Sequence, residues 1–190
     1  MIDKALSFLE SELQNYATSR GMLLSSSNPF ALAGNISQVS DLTGETPEVL
    51  ITVVNIEEDR VAKSQEPYFR QDDKIYKGNP RIPVNIYCLF SAINSASNYS
   101  SSLAAISHVI SFFQGKNVFT PADSDLDDGI EKLIADLYAV SFDQLNLIWG
   151  YNGAKYYPSV IYKMRMVIID DGYRGTAGVI TEVDLTDQKV

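Results

Sequence analysis

The 190 residues fit one domain and can bury a sizeable core, and a composition of 45% hydrophobic and 21% charged residues is that of a globular protein. A formal net charge of -9 counts against a nucleic-acid reader, which displays a basic face. One cysteine, Cys88, and one histidine, His108, exclude an internal disulfide and the usual thiolate or imidazole zinc sites.

From the N-terminus, Ile2, Ala5, Leu6, Leu9, Leu13 and Tyr16 recur at spacings of three and four and predict a helix over 2–16, with Glu10, Glu12 and Gln14 on its other faces and Gly21 as a stop. The opening Met1-Ile2-Asp3-Lys4 lacks the basic, apolar, small-residue order of a signal peptide. No apolar run approaches the roughly 18 residues that cross a bilayer. The expectation is a cytoplasmic product with no membrane partner. The stretch 25–47 is rich in Ser, Asn, Gly and Thr and reads as turn and loop, with a short strand around Phe30 to Ile36. Val49 to Ile56 is apolar and β-branched on both parities, as in a central strand covered on two faces.

Charge takes over at Glu57, Glu58, Asp59 and Arg60, and the segment 57–80 is too long for a plain connection inside a compact domain. Ile82 to Ile93 alternates, with Val84, Ile86, Cys88, Phe90 and Ala92 on one face and Asn85, Tyr87, Leu89 and Ser91 on the other, which makes Cys88 a small core residue. A helix follows over 98–114, with Leu103, Ile106, Ile110 and Phe113 as its apolar stripe and His108 off that stripe. The stretch 130–139 is ambiguous between helix and strand, and periodicity leans towards helix. Ser141 and Gln144 form a capping box for a helix carrying Phe142, Leu145, Ile148 and Trp149, which ends near Gly150 or Gly153. Ser159 to Ile169 is the clearest strand, after which a polar arm over 171–190 follows a domain of residues 1–170.

The chain holds no GxxxxGK[ST] loop, GxSxG elbow, HExxH helix or GxGxxG turn. His108 sits on a helix without a supporting nucleophile motif, so neither a catalytic residue nor a cofactor is assigned. Asp123, Asp125, Asp127 and Asp128 before Gly129 have the alternating spacing of a calcium loop. The frame fails, because Asp128 stands where glycine is required and Ile134 where the closing glutamate belongs. A solvated acidic turn is expected there, with no metal, and a strand-ending turn at Asp170 and Asp171. Lys163 and Arg165 share one face of a strand otherwise built for burial. Neighbouring cations are tolerated when solvated or when they meet carboxylates, so a plain solvated face and a docking face for an acidic neighbour both remain open.

Four stretches taken together resemble a known family. They are Gly34-Asn35-Ile36-Ser37; Asn55-Ile56-Glu57-Glu58-Asp59; Asn79-Pro80-Arg81-Ile82-Pro83-Val84-Asn85-Ile86-Tyr87 with Phe90-Ser91-Ala92; and the run from Trp149 through Tyr156-Tyr157-Pro158-Ser159-Val160-Ile161-Tyr162-Lys163-Met164-Arg165. The set is similar to the N-terminal domain of the Pvc16-like family over roughly residues 2–170. The resemblance implies an α/β fold with a mixed, largely antiparallel sheet flanked by helices, like that of phage tail terminators. It turns 130–139 into a strand.

The role it implies is a non-catalytic cap that ends the inner tube of a phage-tail-like contractile injection particle. Such a cap acts as a homohexameric ring with the inner tube protein and the last sheath layer as partners, and no nucleic acid. Assembly would be cytoplasmic, with release as part of the particle. On that reading Lys163 and Arg165 are the first choices for inter-subunit or tube contacts, with Glu57, Glu58 and Asp59 as acceptors and Arg60 beside them. Longer C-terminal extensions in some members leave open whether this chain is a principal cap or a shorter paralogue. Two other classes stay in view: a monomeric adaptor binding through 57–80, and a hydrolase using the aspartates near 125 or 170.

Overall fold

A computed structural model describes residues 1–21, 28–41, 46–59, 68–71, 74–77, 83–93, 99–153, 155–168 and 175–176. Its centre is a six-stranded sheet built from β1 (Ala31–Ala33), β2 (Val49–Glu58), β5 (Pro83–Ala92), β6 (Val118–Phe119), β7 (Ile130–Leu137) and β8 (Ser159–Ile168). The spatial order is β1-β2-β5-β8-β7-β6, parallel only between β1 and β2. Helices α1 (Ile2–Ser19) and α2 (Tyr99–Gly115) contribute to the core on one face, and α3 (Phe142–Tyr151) covers part of the other. A second, three-stranded sheet joins β3 (Tyr68–Gln71), β4 (Lys74–Lys77) and β9 (Gly175–Thr176). The long charged segment therefore contains a hairpin, and two residues of the stretch expected as an arm pair with it.

The larger core lies beneath α1 and α2. Ala5, Phe8, Leu9, Leu13 and Ala17 of α1 are buried, and Gly21 follows the helix at φ 64°, a left-handed position suited to glycine. The α1 face expected to be polar also has a job. Gln14 Oε1 accepts from the Phe30 amide at 2.7 Å and the Glu10 carboxylate accepts from the Ala33 amide, pinning the edge strand β1 to the helix. The strand expected over Phe30 to Ile36 is shorter because a 3-10 helix begins at Ile36 (Ile36–Asp41). Gly34 marks that transition: a Cβ there would stand 3.1 Å from Leu50 Cδ1, and its carbonyl accepts from Thr52 Oγ1 at 2.7 Å.

In α2 the buried stripe is Ser102, Ala105, Ile106, Val109, Phe112 and Phe113, whereas Leu103 is 45% and Ile110 38% exposed. The expected stripe was rotated because the aromatic pair, not the aliphatic residues, sets the buried side. Phe113 stands 4.4 Å from the Tyr162 ring and 5.6 Å from Phe90, and Phe112 contacts Tyr16 and Phe119. Such pairs add about 0.5–1.5 kcal/mol each beyond their buried area. Cys88 is buried in this core, and burial pushes its thiol up to about 12.

Residues 130–137 of the stretch 130–139 form β7, against its helical periodicity. Ile130, Leu133 and Ala135 are buried in the sheet, and a register irregularity between Ile130 and Lys132 offsets the period-two pattern, which is why the spacing reads as helical. The smaller core, on the opposite face, holds Ile36, Leu50, Leu89, Ile93, Trp149 and Ile161. Helix α3 starts on the expected capping box, with Ser141 Oγ accepting from the Gln144 amide at 3.2 Å and Gln144 Oε1 from the Ser141 amide at 3.0 Å. Gly153, at φ 59°, follows its last turn. Phe142 is 90% exposed, contrary to its place on the expected apolar stripe: it is the first helical residue, beyond the sheet's reach.

Candidate functional site

Among the described residues, helix α3 covers only one end of its sheet face. The rest is polar, and strand register dictates which side chains meet there. Pairing places Glu57 opposite Asn85, Asn55 opposite Tyr87, Asn85 opposite Arg165, Tyr87 opposite Lys163, Lys163 opposite Asp136 and Arg165 opposite Ile134. Residues directly opposite share a face, so four strands contribute to one polar band. A bulge in β2 is essential to it. Val53 pairs with Cys88 and Asn55 with the next residue, Tyr87. The extra residue shifts the parity of β2 and swings Asn55 and Glu57 away from the main core side onto the α3 side.

Within the band the side chains are already engaged with one another. Tyr87 Oη donates to Glu57 Oε1 at 2.5 Å, and that hydrogen bond, with burial and the carboxylate's charge behind it, pushes the phenol up to about 12. The Tyr138 ring meets the Tyr87 ring edge-on at 4.9 Å, and Lys163 Nζ lies 5.9 Å from the Tyr87 ring centre. Arg165 donates from Nε to Asp136 Oδ2 at 2.8 Å, and its Nη2 lies at 2.8 Å from the same oxygen. This is a diagonal cross-strand pair, half exposed on both sides.

Two concavities flank the band and share Glu57. A cleft of about 330 Å³ between α3 and the sheet is lined by Val54, Tyr87, Tyr138, Leu147, Tyr151 and Ile161 among others. Leu147 is 57% and Tyr151 88% exposed, so α3 offers apolar surface at the cleft mouth. The second concavity, about 390 Å³, is lined by Glu57, Glu58, Asp59, Asn85 and Lys163. Asn85 is 3% exposed, and its Oδ1 has no hydrogen-bond partner among the described residues.

The residues singled out from sequence thus fall largely together. Lys163, Arg165 and Glu57 share the band, Glu58 and Asp59 line the adjoining concavity, and Arg60 lies outside the described residues. Sequence reasoning missed Asn85, Tyr87 and Asp136 as members. Asn85 and Tyr87 were visible as the polar side of an alternating strand, but their neighbours across the sheet were not. The acidic turn is built differently. Asp127 Oδ2 takes Lys4 Nζ at 2.8 Å, and Asp123 Oδ1 accepts from both the amide and the hydroxyl of Thr120. These partners hold both carboxyls below their ordinary range. Among the described residues no three His, Cys, Asp or Glu side chains gather as a metal site. Asp170 and Asp171 lie outside the described residues, and His108 is half-buried on α2.

The family model for the Pvc16 N-terminal domain matches residues 5–182. The chain belongs to the Pvc16 N-terminal domain family. No curated protein matches the sequence. Among solved structures, this Pvc16 N-terminal domain is similar to the PVC sheath/tube terminator of an extracellular contractile injection system in its extended state. The TM-score is 0.63 at 14% identity, covering 100% of this chain and 64% of that one. It is also similar to the tube-terminating cap of the anti-feeding prophage, with a TM-score of 0.65 at 11% identity, covering 98% of this chain and 61% of that one. The domain therefore shares their fold and spans somewhat under two thirds of their length. The mixed α/β architecture expected from the resemblance is the one observed, including the strand at 130–137.

Proposed function

We propose that this chain is a non-catalytic terminating cap for the inner tube of a phage-tail-like contractile injection particle, acting as a homohexameric ring that also meets the last sheath layer. The observation that carries the reading is the fold, shared over essentially the whole chain with a sheath/tube terminator and a tube-terminating cap. Membership of the Pvc16 N-terminal domain family supports it independently. The physical task suits such a surface. A tube built from stacked rings stops growing when a ring fits the last face and presents no copy of it. Shape and polar complementarity suffice, and no nucleophile, metal or cofactor is required.

Lys163, Arg165, Glu57, Glu58, Asp59 and Arg60 are the proposed contacts to neighbouring subunits or tube. Strands β2 and β8, on either side of β5, bring five of them to one sheet face and its adjoining concavity, where strand register sets the spacing of Glu57, Lys163 and Arg165. The ring assembles in the cytoplasm and leaves as part of the particle. No described helix is long and apolar enough to cross a membrane.

The test is particle morphology together with mass. Light scattering on the purified protein, alone and with tube protein, should give a closed oligomer, and negative-stain micrographs of particles made without it should show tubes of uncontrolled length. A protomer that stays single in both conditions, with tube length unchanged by its loss, would overturn the reading in favour of a monomeric adaptor.

A further inference from the structure

A helix lying on a sheet ordinarily buries one stripe and turns charged residues to water. Helix α1 does so, with Asp3, Lys4, Glu10 and Glu12 off its buried side. Helix α2, on the same side of the sheet, does not: none of its 17 residues is Asp, Glu, Lys or Arg. Its side away from the core carries Tyr99, Leu103, Ser107, Ile110 and Gln114, all exposed. Steps of four, four, three and four between them are the spacing of a second packing stripe. The serines of this side are satisfied within the helix. Ser107 Oγ donates to the Leu103 carbonyl at 2.8 Å and Ser111 Oγ to the Ser107 carbonyl at 2.9 Å, so covering them strands neither hydroxyl donor.

A surface of matching chemistry lies on the opposite side of the sheet. The cleft between α3 and the sheet, about 330 Å³, is walled by Val54, Tyr138, Val140, Leu147, Ile148 and Tyr151 among others. Glu57 is the one charged residue among those lining it, and its Oε1 already accepts from Tyr87 Oη. Leu147 and Tyr151 are mostly exposed at its mouth. Among the described residues, then, the chain presents an uncharged ridge on its α1–α2 side and a nearly uncharged cleft on its α3 side.

We propose that α2 of one copy packs its Tyr99–Leu103–Ile110 stripe into the α3 cleft of the next copy, so that subunits join front to back. Charge selects a second copy as the occupant. Two chains of net -9 repel where their acidic surfaces meet, but here α2 brings no carboxylate and the single carboxylate of the cleft is already hydrogen-bonded. Because ridge and cleft lie on opposite faces of the sheet, filling one leaves the other for a further copy, and association runs on until it closes. A two-fold pairing of α2 with α2 would leave the cleft of both copies unfilled. The inference deepens the capping role, and rests on it only in taking the succession of copies to close as a ring.

The test uses the full chain with one cysteine introduced on each surface, Leu103→Cys and Leu147→Cys. Both positions are exposed, so the fold should tolerate them, and Ile110→Cys is the second ridge variant. The native Cys88 is buried and stays silent. Treated with a short bismaleimide, alone and with tube protein, a mixture of the two variants should give a covalent heterodimer at a yield about tenfold above that of either variant by itself. Leu103→Glu should weaken association about tenfold or more. Dominant cross-links between two Leu103→Cys copies overturn the proposal, since they show a two-fold contact. Protection of Leu147→Cys from a thiol reagent in the dilute protomer also overturns it, because the cleft is then filled from within its own chain. Closed rings that cap tubes without the mixed cross-link sink this interface alone. Mixed cross-links in a protein that never caps a tube sink the capping role and leave the interface standing. A protein that stays single, alone and with tube protein, overturns both.

Discussion

Reversing the charge of Arg165 separates what this residue does within the subunit from what it does between subunits. Arg165→Glu removes the 2.8 Å contacts to Asp136 and sets two carboxylates on adjacent strands. The paired side chains are 44% and 43% exposed, so the lost attraction is that of a surface pair, about 0.2–1 kcal/mol, with a similar cost for the new repulsion. The sum, about 0.4–2 kcal/mol, corresponds to a fall in Tm of roughly 1–8 °C in a domain of this size. The exchange Arg165→Asp with Asp136→Arg restores an opposite-charge pair on the same two strands and should recover most of that loss. Assembly should respond differently, because the exchange moves the cation one strand over. Differential scanning calorimetry reads the fold, and light scattering with tube protein reads the ring. The expected pattern is near-normal Tm in the exchanged protein with ring formation still impaired. A double-mutant coupling energy of zero would refute the intrachain pair, and normal rings from the charge-reversed protein would refute the interface.

Three further outcomes follow from the local chemistry. Tyr87 should ionise near pH 12, and because the folded phenol holds its proton more tightly than the unfolded one, stability should decline as pH rises from about 10 towards 12; Tyr87→Phe should remove that component in urea titrations across this range and cost about 0.5–1.5 kcal/mol at neutral pH. Ser141→Ala should cost about 1 kcal/mol and speed amide exchange in the first turn of α3 without shifting β8, and unchanged exchange there would refute the cap. Cys88 should resist a thiol reagent at pH 8 in the native protein and react at once in denaturant, while rapid native labelling would contradict its burial.

The local rules legible in the chain gave its elements and missed their relations. Helix α1, the capping box of α3, the alternation of β5 and the long strand β8 all follow from spacing and capping chemistry acting over a few residues. The stripe of α2 and the identity of β7 did not, because each depends on what packs against it. Phe112 and Phe113 turn α2 towards Phe90, Phe119 and Tyr162, and an irregular register lets β7 mimic a helical period. Resemblance to a family supplied the strand that periodicity did not.

The candidate surface divides in the same way. The sequence by itself determined that Lys163 and Arg165 lie on one side of a strand, that Glu57 to Asp59 follow an apolar run, and that Cys88 belongs in the core. Only the tertiary structure decided that these cations and Glu57 share a face, since that depends on a bulge at Val53 to Asn55 and on strand neighbours far apart in the chain. It also gave Arg165 a partner in Asp136, and buried Asn85 opposite Glu57 and Arg165. The reason is physical: a side chain's direction is fixed by its own backbone period, whereas its company is fixed by register, which no local run of residues encodes.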